Sequence, residues 1–291
     1  DVMAILKRGD DILAGTWGEG VYKTAASGSA NWSSLSSGLA SDYKSIRAMV
    51  VVTGTTPDVY AADPERYVYR LPGGSNEWQH LLSTGFPTPD KESSTQYDIA
   101  CLFLDGTTLH AGLMDTGVYS YTTGSGWSQM GDLEGRDALA MDYGPDDRLW
   151  VGTNDGVYKW SGSAWVAVPG TSGWNVTALK RNPLHPSRLF VGLTTGAVYR
   201  YWQSTGTWSE VTGLGIPSGQ QVWSLAFATG EPQRLFAGAD DGLYYRDIAH
   251  LILSLDNDPD ESVPLSAGDI ITYTMDYENV GDTTLSSVVL K

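Results

Sequence analysis

Leu149-Trp150-Val151-Gly152-Thr153-Asn154-Asp155-Gly156-Val157-Tyr158-Lys159 decides the fold. A short apolar run ends on a glycine, a turn follows, and a second apolar run begins. This reads as a β-hairpin in which Asn-Asp-Gly supplies the positive φ of a tight turn. The phrase opens the chain as Leu13-Ala14-Gly15-Thr16 and Gly20-Val21-Tyr22-Lys23, and its copies align on Tyr22, Tyr69, Tyr119, Tyr158, Tyr199 and Tyr244. Recurrence every ~40–50 residues is the period of a four-stranded propeller blade. Six copies predict an all-β, six-bladed β-propeller over residues 1–247.

Three further columns support the blade. Gly15, Gly112, Gly152, Gly192 and Gly238 precede the tyrosines, with Ala62 the one departure, and mark a close approach of neighbouring chain. Trp32, Trp78, Trp127, Trp165 and Trp208 follow them on an outer strand. Ahead of each copy an inner strand reads small then large: Ala4-Ile5, Ala48-Met49, Cys101-Leu102, Ala138-Leu139, Ala178-Leu179, Ser224-Leu225. Small residues suit the crowded axis, which makes Cys101 a core residue rather than a reactive thiol. No sustained 3.6-residue period appears, so helix is not expected. After Tyr244 no tryptophan follows. The sixth blade must take its outer strand from His250–Leu255, from residues upstream of Asp1, or from another chain.

Lys and Arg total 18 against 34 Asp and Glu, a net charge of -16, which repels nucleic acid and anionic lipid. The longest apolar run, around Ala48–Val52, is far short of the ~20 residues of a membrane helix. One cysteine permits no intrachain disulfide. The start at Asp1 predicts a processed or excised form, and the Gly-, Ser-, Thr- and Tyr-rich composition fits a secreted all-β protein.

The Leu149–Tyr158 phrase resembles the repeats of two-component-regulator propellers. Gly124-Ser125-Gly126-Trp127 and Thr205-Gly206-Thr207-Trp208 resemble degenerate Asp-box repeats of sialidase-type propellers, without the aspartate. The catalytic sets of those enzymes have no match here, so this resemblance implies the fold and not an activity. Residues 248–291, with Gly268-Asp269, Tyr273 and Asn279-Val280-Gly281, are similar to the start of Ig-like conserved repeat modules of bacterial surface proteins. That resemblance implies a partial Ig-like β-sandwich segment, truncated or completed by a neighbouring chain, and an extracellular bacterial location.

Ligands of propellers gather on the face of the hairpin turns and inter-blade loops. Here that face is expected to carry Trp17, Asp63, Asp115, Asp155 and Asp240 from the turns, with Tyr43, Tyr97, Arg136 and Trp174 from the loops. Aromatics among carboxylates suit sugar stacking and hydroxyl hydrogen bonds, while turn aspartates equally fit a solvated rim. Arg136 stands out in a column otherwise reading Val2, Ile46, Ile99, Val176 and Val222, and needs a partner such as Asp137 or Glu134. Arg47 and Trp223 share a second column near the channel. Asp256, Asp258 and Asp260 alternate like the first half of a calcium loop but lack its glycine and final glutamate; no other cofactor is indicated. The four histidines show no metal-ligand spacing.

These readings favour a non-enzymatic extracellular structural or interaction protein, the propeller serving as a rigid platform on a surface protein or filament. Its partners would be other subunits or surface modules. A carbohydrate-binding propeller is the alternative, with glycans as partners. A glycoside hydrolase using Asp63, Asp155 or Asp240 ranks last.

Overall fold

The computed structural model describes the chain except residues 28–30, 41–43, 53, 55–56, 65–66, 82–83, 87–97, 134, 229–232, 249–250, 259–271 and 280–291; for 251–258 and 272–279 only the backbone is described. Six antiparallel sheets follow one another, as the repeat predicts. Blade 1 is β1 (Val2–Arg8), β2 (Asp11–Thr16), β3 (Val21–Ala25) and β4 (Ser33–Ser34). Blade 2 is β5 (Ala48–Val51), β6 (Val59–Ala62), β7 (Val68–Leu71) and β8 (Gln79–His80). Blade 3 is β9 (Ile99–Asp105), β10 (Thr108–Leu113), β11 (Gly117–Thr122) and β12 (Gly126–Gln129). Blade 4 is β13 (Ala138–Tyr143), β14 (Leu149–Thr153), β15 (Gly156–Trp160) and β16 (Trp165–Ala167). Blade 5 is β17 (Val176–Arg181), β18 (Arg188–Leu193), β19 (Val198–Trp202) and β20 (Thr207–Glu210). Blade 6 has three strands, β21 (Val222–Ala228), β22 (Arg234–Ala239) and β23 (Gly242–Asp247). The described residues contain no helix, and hence none long and apolar enough to cross a membrane.

Successive blades join by one repeated contact. A Cβ added to Gly15 would lie 2.6 Å from Ile46 Cγ2; one on Gly152 would lie 2.5 Å from Val176 Cγ1, and one on Gly192 2.4 Å from Val222 Cγ1. In these three joints the second strand carries a hole that a β-branched knob, at or just before the next blade's first strand, fills. At the second joint Ala62 and Ile99 are buried in one core cluster. At the third joint Gly112 faces Ala138, and Cys101 Sγ occupies the space the smaller knob leaves. Burial pushes the Cys101 thiol up to about 12, so it stays protonated and inert at neutral pH, as a core residue should.

The pairing corrects the sequence alignment in blade 4. Gly152 pairs with Ala140, as Gly15 does with Ala4 and Gly192 with Ala178. Ala140-Met141, not Ala138-Leu139, is therefore the small-large pair, and Ala138 is the knob. Arg136 lies two residues upstream of the apolar column. A two-residue slip leaves every side chain on its original face, so alternation alone does not register it.

Polar ties reinforce four joints at the opposite rim. Arg8 donates to the carbonyls of Pro57, Pro72 and Ser75; Tyr143 Oη donates to Asp105; the Arg181 N–H donates to Asp142 at 3.1 Å. Between blades 5 and 6 the buried amides of Asn182 and Gln233 exchange two hydrogen bonds, of 2.9 and 3.1 Å. Outer tryptophans add to this, Trp78 Nε1 donating to Leu35 O at 2.7 Å. Trp32, in contrast, is exposed.

The seam between blades 6 and 1 differs. The knob position of blade 1, Val2, is 57% exposed, and a Cβ on Gly238 would meet only Ser224 of its own blade. Ile5 is 68% exposed, although Leu102, Met141, Leu179 and Leu225 at the matching place are buried. Leu243 is 69% exposed, whereas Val21, Val68, Val118, Val157 and Val198 are buried. Among the described residues, the two end faces of the blade array leave these apolar side chains exposed.

Among the described residues blade 6 has no outer strand, and the expected segment does not pair with β23. Leu251–Asp258 (β24) pairs antiparallel with Thr272–Asn279 (β25) in a two-stranded sheet of its own. Further strands of an Ig-like sandwich fall outside the described residues. The buried amide pair gives a first prediction. Gln233→Met strands the Asn182 amide and costs about 1–3 kcal/mol, read as a lower urea midpoint with an unchanged slope; an unchanged midpoint contradicts the pairing.

Candidate functional site

The face of interest is built by the hairpin turns and inter-blade loops, anchored by the inner strands. Five of those strands carry a bulge at one place, between Val2 and Ala4, Ile99 and Cys101, Ala138 and Ala140, Val176 and Ala178, and Val222 and Ser224. A bulge leaves one residue out of the ladder and re-aims it. Met3, Ala100, Leu139, Thr177 and Trp223 are those residues, and Arg47 takes the place in blade 2, its N–H donating to Ala62 O at 2.9 Å. This ring, with Leu139 added, is the second column predicted for Arg47 and Trp223.

Arg136 is tied into a network. Its Nη2 lies 3.2 Å from Asp155 Oδ2, its Nη1 donates to Leu133 O at 3.1 Å, and its guanidinium sits 5.1 Å above the Tyr158 ring. Asp155 also accepts from the Gly173 N–H at 2.9 Å. Asp137, an expected partner, instead accepts the Asp115 N–H at 2.9 Å and donates its own N–H to Asn154 at 3.2 Å; Glu134 lies outside the described residues. The Gly173 amide and then Arg136 hold the Asp155 carboxyl below its ordinary value, the direction opposite to that of a general acid.

The aromatics divide into two kinds. Trp174 stacks on Tyr199 at 4.3 Å and meets Trp208 edge-on at 5.4 Å, so the core has already taken one ring face. Trp17, in the first turn, is 53% exposed. Trp223 is 54% exposed, and its Nε1 donates to Asp240 Oδ1 at 2.6 Å while the Gln221 N–H donates to Oδ2 at 2.8 Å. The carboxylate clamps the indole edge and leaves the ring presented. Tyr43 and Tyr97 lie outside the described residues.

The structure joins Arg136, Asp155 and the Gly173-Trp174 loop, and separately Trp223 with Asp240; Asp63 is buried in its own turn, accepting from the Tyr67 N–H. Asp256 and Asp258 fall on a paired strand rather than a loop, and Asp260 is outside the described residues. No group of three or more metal-ligating side chains occurs among the described residues. Sequence reading passed over the end faces around Val2, Ile5 and Leu243.

No family model matches the chain, and no curated protein does. Among solved structures it is similar to the extracellular domain of a B. thetaiotaomicron protein described as a one component system, at 18% identity and a TM-score of 0.65. The match covers 84% of this chain and 31% of that one, so the chain spans about a third of that structure's length. A second structure, described as the extracellular domain of a hybrid two component system from the same organism, matches at 17% identity and a TM-score of 0.63, over 84% and 31% of the two chains. The computationally designed Ika8 protein matches at 17% identity and a TM-score of 0.54, over 85% and 71%. At these identities the likeness shows the fold.

The network yields a pH prediction. A carboxyl held low adds stability that is present above its unfolded-state pKa and is lost as pH falls through the folded-state value. Arg136→Gln raises the Asp155 midpoint but leaves it below the ordinary value, because the Gly173 amide remains. A carboxyl NMR titration of both proteins reads this, and an unmoved midpoint contradicts the pairing.

Proposed function

We propose that the chain is an extracellular interaction module whose propeller is a rigid platform for assembly with copies of itself on a surface protein or filament. The exposed seam carries this reading. Val2 and Leu243 occupy positions that are buried in the other blades, and Ile5 one that is buried in four of them; each large aliphatic side chain left in water forgoes about 1.5–3 kcal/mol. One copy offers the knob face of blade 1; another offers the hole face of blade 6, with Gly238 and Leu243. Such a heterologous contact propagates head to tail rather than closing a pair. The likeness to extracellular domains supports the location.

Sedimentation velocity tests the assembly. The wild-type chain associates with rising concentration, while Ile5→Asp and Leu243→Asp are each monomeric. An equimolar mixture of the two variants forms a one-to-one dimer and stops, because each retains the face the other lacks. A wild-type chain that stays monomeric, or a mixture that does, overturns the reading.

A second reading rests on Trp223, whose exposed ring is fixed beside Asp240, with Trp17 also exposed. An indole face next to a carboxylate suits stacking on a sugar and hydrogen bonding to its hydroxyls. Glycan-array binding that Trp223→Ala abolishes is the expected result; no binding across the array counts against it.

A further inference from the structure

In three blades the residue after the column tyrosine is a cation with an acid beside it: Lys23 with Asp11 at 4.0 Å, Arg70 with Asp58 at 2.7 Å, Lys159 with Asp146 at 3.5 Å. Blade 5 keeps the cation, Arg200, but where blades 1 and 2 carry Asp11 and Asp58 it carries Arg188. The two guanidinium groups lie 4.1 and 4.6 Å from the centre of the Trp202 ring, between neighbouring strands. Arg246 belongs to the adjoining face of blade 6, close enough to act electrostatically on Arg200. None of the three makes an ion pair among the described residues. Three cations gathered with no ion pair among them stand out in a chain of net charge -16.

Several observations indicate that something anionic belongs there. Arg200 Nε is buried without a hydrogen-bond partner, a cost that a bound acceptor removes. Burial, then Arg188 and Arg246, pushes the Arg200 pKa down to about 10, still charged at neutral pH. Ser209 pairs directly with Arg200 across the ladder, and its Oγ accepts from Trp202 Nε1 at 3.2 Å, leaving the hydroxyl proton free to donate. Glu210 pairs with Tyr199 and so projects from the opposite sheet face. Arg246 Nη1 lies 3.4 Å from the place a Cβ on Gly213 would take, and Gly213 lines a cleft of about 240 Å³ with Val198, Glu210, Val211, Leu214 and Ile216.

We propose that Arg188, Arg200, Arg246 and Ser209 form a site for a tetrahedral oxyanion, a sulfate or phosphate group, at the joint of blades 5 and 6. Donors arriving from two blades surround several oxygens at once, which fits a tetrahedral anion better than a planar carboxylate held by one fork. The site is independent of the seam and of the tryptophan face.

Calorimetric titration of the full chain with sodium sulfate, sodium phosphate and sodium acetate at matched ionic strength tests it. Sulfate or phosphate binds saturably at one site, and acetate at least about tenfold more weakly. Arg188→Asp restores the pairing used in blades 1 and 2, keeps the fold, and lowers sulfate or phosphate affinity at least about tenfold; Arg200→Met does the same. Absence of saturable binding by either ion, equal binding of acetate, or undiminished affinity in a folded Arg188→Asp protein overturns the assignment.

Discussion

A missing side chain governs this protein. Where the second strand of one blade meets the first strand of the next, the space beyond Cα is filled from the neighbour, at 2.4 to 2.6 Å from where a Cβ would stand. Interiors pack at crystal-like density, so a hole and its knob are specified together. Gly15, Gly152 and Gly192 are not in the left-handed backbone region, and it is space rather than conformational freedom that requires glycine there. Blade 3 follows the same rule by another route, with Cys101 larger and Ala138 smaller than their counterparts.

The joint also fixes the functional face. The inner-strand bulges lie next to the knobs, so seating Val222 in Gly192 also aims Trp223, and Asp240 from the next turn completes its clamp. Arg136 and Asp155 tie one loop to the neighbouring turn on the same face. At the opposite rim, Arg8, Asp142 and the Asn182–Gln233 pair do corresponding work. A seam without a seated knob therefore loses packing at its centre and leaves Val2, Ile5 and Leu243 exposed.

The blade count, strand order and hairpin turns were legible because a tandem repeat samples the same structural problem six times. Position within a strand was less legible. The Ala138/Ala140 slip preserved face parity, and only the Gly152 pairing exposed it. That slip made Arg136 look like a charge in an apolar column, when it is a loop residue bound to Asp155. Trp174 and Trp223 were equivalent by residue type, and packing against Tyr199 separates them. Arg188 and Arg200 were passed over in the sequence, since two strand arginines without a motif carry no signal until the pairing places them against one tryptophan.

A double-mutant cycle at the fourth joint measures the central contact most directly. Gly152→Ala forces a methyl against Val176 and Val176→Ala empties the space it would need. The double variant is expected to be more stable than the sum of the single effects allows, with a coupling of about 1–3 kcal/mol in denaturant unfolding. Additivity within about 0.5 kcal/mol would mean that the hole and the knob are not one interaction.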